Sequence, residues 1–185
     1  MRKRKKHRIP DRHALKGHLR RLAFASFLAA LSIVCGKYLA FPVGVAMRFS
    51  LENLPILLAG MVLGPTMGVM TGVVADLVGC LMVGYQINPL VTLGAAVIGL
   101  LGGLLYRCLS RFPMMPRVVI STLSAHLIGS VLIKTWGLAA FYDMPFYALL
   151  LWRLLNYVIV GAVECVIVYY ILTNKTVRHS LEKLR

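Results

Sequence analysis

The sequence predicts an all-α integral membrane protein with six transmembrane helices and both termini cytoplasmic. Three observations carry that expectation: six apolar stretches, very short connections between them, and basic residues gathered on one side. Of the 185 residues, 59% are hydrophobic and the mean hydropathy is +0.78, more than a soluble core needs. A bilayer does need it, because about 20 apolar residues are required to cross about 30 Å of hydrocarbon. There the backbone must satisfy its own hydrogen bonds, which favours helices.

The stretches cover 22–41, 51–63, 67–83, 89–109, 118–138 and 145–172. They form one membrane domain, 22–172, between a basic tail at 1–21 and a second basic tail at 173–185. The first stretch, LAFASFLAALSIVCGKYLAF, follows the basic run directly. The second is the shortest. Its core at 54–63 cannot span alone, so it must borrow turns from 49–53 or thin the bilayer locally. Pro55 is tolerated in its first turn. Gly64-Pro65-Thr66 then turns the chain back into the third stretch. Small residues recur every fourth position at Gly60, Gly64, Gly68 and Gly72, and again at Ala95, Gly99 and Gly103. Such rows let helices approach closely, here within the chain itself.

Charge sets the orientation. Ten of the 21 Lys and Arg residues fall within the first 21 positions. Six crossings put Arg107, Arg111, Arg117, Lys175, Arg178, Lys183 and Arg185 on that same side, and leave Arg48 and Asp143 on the other. The bias follows the positive-inside rule, so the basic side is cytoplasmic. The net charge of +15 therefore reads as an orientation signal and a contact with anionic lipids. No nucleic-acid recognition module follows the basic run, and no nucleic-acid partner is expected.

Other chemistry is poorly supported. Cys35, Cys80, Cys108 and Cys165 lie far apart without CxxC spacing, as suits small buried residues and not a metal site or disulfide framework. No GxxxxGK[ST] sequence provides for ATP, and no zinc signature or nucleophile elbow provides for hydrolysis. No cofactor is expected.

Function must lie among the ionisable residues inside the apolar stretches, which are costly there and need a reason. They are Arg48 and Glu52 before the second helix, Asp76 in the third, His126 and Lys134 in the fifth, and Arg153 and Glu164 in the sixth. His126, Ser130 and Lys134 share one helix face, as do Arg153, Asn156, Val160 and Glu164. The two stripes place Lys134 and Arg153 toward the external ends of their helices. Trp136, Tyr142, Tyr147 and Trp152 surround them, either as cavity walls or as an interfacial belt. Arg153 has the alternative of an internal salt bridge to Asp76 or Glu52. An external cavity with surplus positive charge suits a planar anion, because Arg binds carboxylates bidentately and stacks on rings.

Three segments carry a family resemblance: RFSLENLPILLAGMVLGPTMG at 48–68, VVADLVGCLMVGYQINP at 73–89, and IKTWGLAAFYDMPFYALLLWRLLNY at 133–157. With their order and spacing, the chain from about 22 to 172 resembles the substrate-binding S components of energy-coupling factor (ECF) vitamin transporters, most closely the folate-specific ones. The resemblance implies a six-helix fold that captures a vitamin at the extracellular face of the cell membrane. It implies no ATPase activity in this chain, and partners consisting of a transmembrane coupling subunit and two cytoplasmic ATPases. It also implies toppling of the whole S component during transport. Residues expected at the ligand are Arg48, Glu52, Asp76, Lys134, Trp136, Arg153 and Asn156. Ala25 and Ala29 match an Ala-x-x-x-Ala pair that would face the coupling subunit. The long basic N-terminus and the YQINP turn depart from many relatives. Alternative readings are an S component for another heterocycle, such as riboflavin or a queuosine precursor, and a ligand-free scaffold. Surplus cations argue against cationic thiamine.

The basic run holds ten cations against one Asp and cannot build a core. Each cation near an anionic leaflet contributes about 1 kcal/mol. Deleting residues 1–16 while keeping Arg20 and Arg21 is expected to lower insertion or expression and leave ligand affinity unchanged. Binding titrations on correctly inserted protein check this.

Overall fold

In this computed structural model, residues 12–43 and 47–175 are described, with side chains over 16–41 and 49–175. The segments 1–11 and 176–185 and the Arg48 side chain, expected in the tails and at the ligand, lie outside the described residues. The helices are α1 (Arg12–Lys37), α2 (Asn53–Leu63), α3 (Pro65–Val83), α4 (Pro89–Cys108), α5 (Met114–Ala125), α6 (Lys134–Tyr142) and α7 (Phe146–Thr173). A π-helical segment, His126–Ile133, joins α5 to α6 in one continuous helical rod, Met114–Tyr142.

The architecture is helical, as expected, with one addition. The α1–α2 link forms a small antiparallel ribbon, β1 (Phe41–Val43) and β2 (Met47–Phe49), with Phe41 opposite Phe49. The first apolar stretch therefore ends as helix at Lys37, not at Phe41. At its other end α1 starts at Arg12, so nearly half of the expected basic tail, 12–21, is helical.

Among the described residues, five helical segments are long and apolar enough to cross a membrane: Lys16–Lys37, Pro65–Val83, Pro89–Cys108, Met114–Tyr142 and Phe146–Thr173. α2 is not. Its 11 residues rise about 16 Å at 1.5 Å each, roughly half the hydrocarbon thickness. The fold tolerates this because α2 is interior: every residue except Leu54 is buried. It packs against α1, α3 and α4. Its ends find partners in α1. The Ser32 hydroxyl donates to the Glu52 carbonyl at 2.6 Å, and Arg21 donates to the Leu63 carbonyl at 2.7 Å. A cation there also suits the negative end of the helix dipole.

Glycine makes this interior possible. At Gly64 the turn takes φ 114°, a region that L side chains rarely adopt, and Pro65 opens α3. Gly60 and Gly68 lie against the backbone of α4 at Gly99, where any Cβ would collide with main-chain atoms. The four-residue rows are thus internal packing surfaces between α2, α3 and α4, as expected.

Gly99→Val is expected to destabilise by at least about 1–3 kcal/mol, since backbone cannot yield as a side chain can. Gly17→Ala, with nothing within 4 Å, should be neutral. Thermal unfolding in detergent compares the two.

Candidate ligand cavity

A cavity of about 650 Å³ opens at one end of the bundle. Its walls come from the end of α1, the second half of α3, the start of α4, the length of α6, and α7 as far as Tyr157, together with the residues just before α2 and the α3–α4 and α6–α7 links. Up-and-down connectivity brings these distant segments to the same end. The opposite end collects basic residues. There Arg21 caps α2, Arg107 lies against Gly64, and Arg117 donates to the Tyr106 carbonyl with its guanidinium over the Tyr106 ring.

Five of the residues expected at the ligand line the cavity: Glu52, Asp76, Lys134, Arg153 and Asn156. Three cations (Lys37, Lys134 and Arg153) face two carboxylates (Glu52 and Asp76) across it. Their engagements differ. Lys134 is buried, 4% exposed, and donates to Glu52 Oε1 at 3.2 Å. Asp76 accepts a 2.6 Å hydrogen bond from the Thr92 hydroxyl.

Arg153 is placed differently. Its Nε and Nη2 donate to the Ser130 carbonyl at 3.2 and 3.0 Å, and its guanidinium lies 5.4 Å from the Tyr157 ring centroid. No carboxylate oxygen of the described residues lies within 4.0 Å of it. The expected alternative of a salt bridge to Asp76 or Glu52 is absent among those residues. Among the described residues two of its five N–H donors are used, which leaves three. The surplus positive charge expected in the cavity is thus cancelled at Lys134 by Glu52, while Arg153 meets no acid among the described residues.

Two expectations are corrected. Trp136 does not line the cavity. It is 65% exposed and flanks a separate apolar groove with Leu132 and Phe146. Two residues along a helix turn about 200°, so burying Lys134 sends Trp136 outward; Trp152 supplies the cavity's indole instead. Ala25 and Ala29 are 6% and 3% exposed and belong to the core. The tight packing of α1 on α2 and α3 consumes that face. The outward face of α1 instead carries Ala23, Ser26, Phe27, Ala30 and Val34.

Sequence reasoning missed Lys37, which lines the cavity with its ammonium 5.3 Å from the Tyr85 ring centroid. A lysine inside the first apolar stretch, near its end, was a usable signal. It also missed Asn88, whose side chain accepts from Leu90 N at 3.0 Å and donates to the Gly137 carbonyl at 2.8 Å, tying α4 to α6 at the cavity rim.

The family described as "ECF transporter, substrate-specific component" matches residues 20–172. The fold is similar to a crystal structure of FolT bound with folic acid, at 25% identity and TM-score 0.67, covering 80% of this chain and 90% of that one. It is also similar to the S component for biotin from an ECF-type ABC transporter, at 20% identity and TM-score 0.65, over 86% and 94%. A third similar structure is the S component of a bacterial ECF transporter, at 19% identity and TM-score 0.61, over 85% and 97%. No curated protein matches the chain. The chain belongs to the substrate-specific components of ECF transporters, membrane subunits that bind substrate and leave ATP hydrolysis to partner subunits.

Proposed function

We propose that this chain captures folate at the extracellular face of the cell membrane for uptake driven by separate ATPase subunits. The observation that carries the reading is the cavity with three cations against two carboxylates. Its volume lies within the about 300–1,000 Å³ of drug-sized ligand sites, and Tyr85, Tyr142, Trp152 and Tyr157 contribute aromatic surface. Folate brings a flat amino-pteridine at one end and two carboxylates at the other. The fold's similarity to FolT bound with folic acid supports that ligand.

The contacts divide by chemistry. Arg153, with three N–H donors unused among the described residues, and Lys37 take the ligand's carboxylates. Charge-assisted bonds of this kind are the strong ones. The Asp76 carboxylate and the Asn156 amide face the same cavity and suit the donors of an amino-heterocycle. Glu52 and Lys134 neutralise each other and form a polar floor beneath the ligand.

Orientation follows from charge. Six crossings, counting α2, put both termini and the basic end in the cytoplasm, and the cavity then opens outward. The ATPase partners and the coupling subunit belong on the basic side, where the chain's Arg and Lys residues concentrate.

Arg153→Ala is expected to weaken folic acid binding about ten- to a hundredfold, the loss of one charge-assisted anchor. Calorimetry on the purified variant, with biotin and riboflavin as comparison ligands, tests it. Unchanged affinity in folded protein overturns the assignment.

Lys134→Met leaves Glu52 without its partner and is expected to destabilise by about 1–3 kcal/mol, less than a fully buried pair because water reaches Glu52 from the cavity. Adding Glu52→Leu should recover most of that loss. Thermal midpoints of the single and double variants measure the coupling.

A further inference from the structure

A second ionisable pair lies deeper in the bundle, away from the cavity lining. His126 Nε2 contacts Glu164 Oε2, and the two residues are 2% and 0% exposed. Along α7, Glu164 lies 11 residues beyond Arg153, about 16 Å at 1.5 Å per residue. Ligand capture as described above makes no use of either residue. Such a pair does not hold a bundle together cheaply: apolar residues of similar volume are often as stable or more so.

Its contacts lead back to the cavity by two separate routes. His126 Nδ1 lies 3.3 Å from the Ser130 hydroxyl, and the Ser130 carbonyl accepts both bonds from Arg153. The imidazole also stacks on Tyr157, with centroids 5.1 Å apart and planes at 26°. That same Tyr157 ring lies beside the Arg153 guanidinium and lines the cavity. Ser130 and Tyr157 therefore each touch both His126 and Arg153. The route through Ser130 runs along the π-helical segment that begins at His126, a geometry that often marks functional sites.

We propose that the His126–Glu164 pair is a positioning device for Arg153, fixing the π-helical segment and Tyr157 and so setting where the guanidinium meets an anionic ligand group. Where Nε2 of the imidazole donates to Glu164 Oε2, Nδ1 is left to accept from the Ser130 hydroxyl. The ring is held at both nitrogens, and its face orders Tyr157. This inference rests on Arg153 holding the ligand.

The test titrates folic acid into full-length protein in four forms: unaltered, His126→Phe with Glu164→Leu, Arg153→Ala, and all three changes together. The Phe/Leu pair keeps a ring against Tyr157 and leaves no buried charge alone. Its thermal midpoint should equal or exceed that of the unaltered protein, while folic acid affinity falls about five- to twentyfold. In the Arg153→Ala background the same pair should cost less than about twofold, because the group it positions is gone. Unchanged affinity in the Phe/Leu variant, or equal losses in both backgrounds, overturns the positioning role. An Arg153→Ala variant that binds folic acid normally overturns the role of Arg153, and this inference with it, whereas unaltered protein that fails to bind folic acid overturns the folate reading itself. Should the Phe/Leu variant fail to fold, Ser130→Ala decides alone. It keeps the carbonyl that Arg153 uses and removes the hydroxyl facing His126. A loss of about two- to fivefold that vanishes without Arg153 supports the role, and no loss overturns it.

Discussion

The close approach of α2, α3 and α4 is the contact on which the other arrangements depend. Backbone meets backbone at Gly60, Gly68 and Gly99, where one added carbon would collide with main-chain atoms. That proximity lets an 11-residue helix sit inside the bundle, shielded by its neighbours instead of matched to the bilayer. It also fixes where the residue before α2 emerges. Glu52 reaches Lys134, 82 positions away in sequence, because α2 is held against α4 and α4 against α6. Without glycine at these crossings the helices would stand apart, and the cavity floor would lose its neutralising pair.

Charge is sorted by depth. Ionisable groups inside a membrane protein need partners or water, and this chain provides both in layers. At the cavity, Glu52 and Lys134 pair while Asp76 takes a hydroxyl from Thr92. Arg153 is held by a backbone carbonyl and an aromatic ring, which satisfies part of the guanidinium without cancelling its charge. Deeper still, His126 and Glu164 pair out of reach of water. An arginine fixed by neutral partners keeps its full charge for a ligand. A lysine already facing a carboxylate does not. This difference separates the roles of two cations that look equivalent as letters.

Much of the fold was legible because the bilayer imposes simple rules. Apolar runs of the required length mark the membrane helices. The four-residue glycine spacing marks close packing. Gly64-Pro65 marks the turn that follows the short second helix. The candidate site was partly legible for the same reason: a charge within an apolar run is costly and stands out. Glu52, Asp76, Lys134 and Arg153 emerged this way, Asn156 by sharing a helix face with Arg153, and all five line the cavity. Lys37 escaped notice because it lies near the end of its apolar stretch, and only the structure shows that the helix stops there.

The sequence by itself determined a helical membrane protein with its basic residues at one end and a few costly charges to be explained. It did so because hydropathy and helical period depend only on residue order. Rotation and pairing were decided by tertiary structure. Which face of α1 is covered buries Ala25 and Ala29, and the turn of α6 sends Trp136 outward while Lys134 points in. Which acid Lys134 meets, and that Arg153 meets none among the described residues, depends on how helices far apart in sequence cross. Those crossings are set by the packing of small residues over several helices at once, and no single stretch of sequence contains that information.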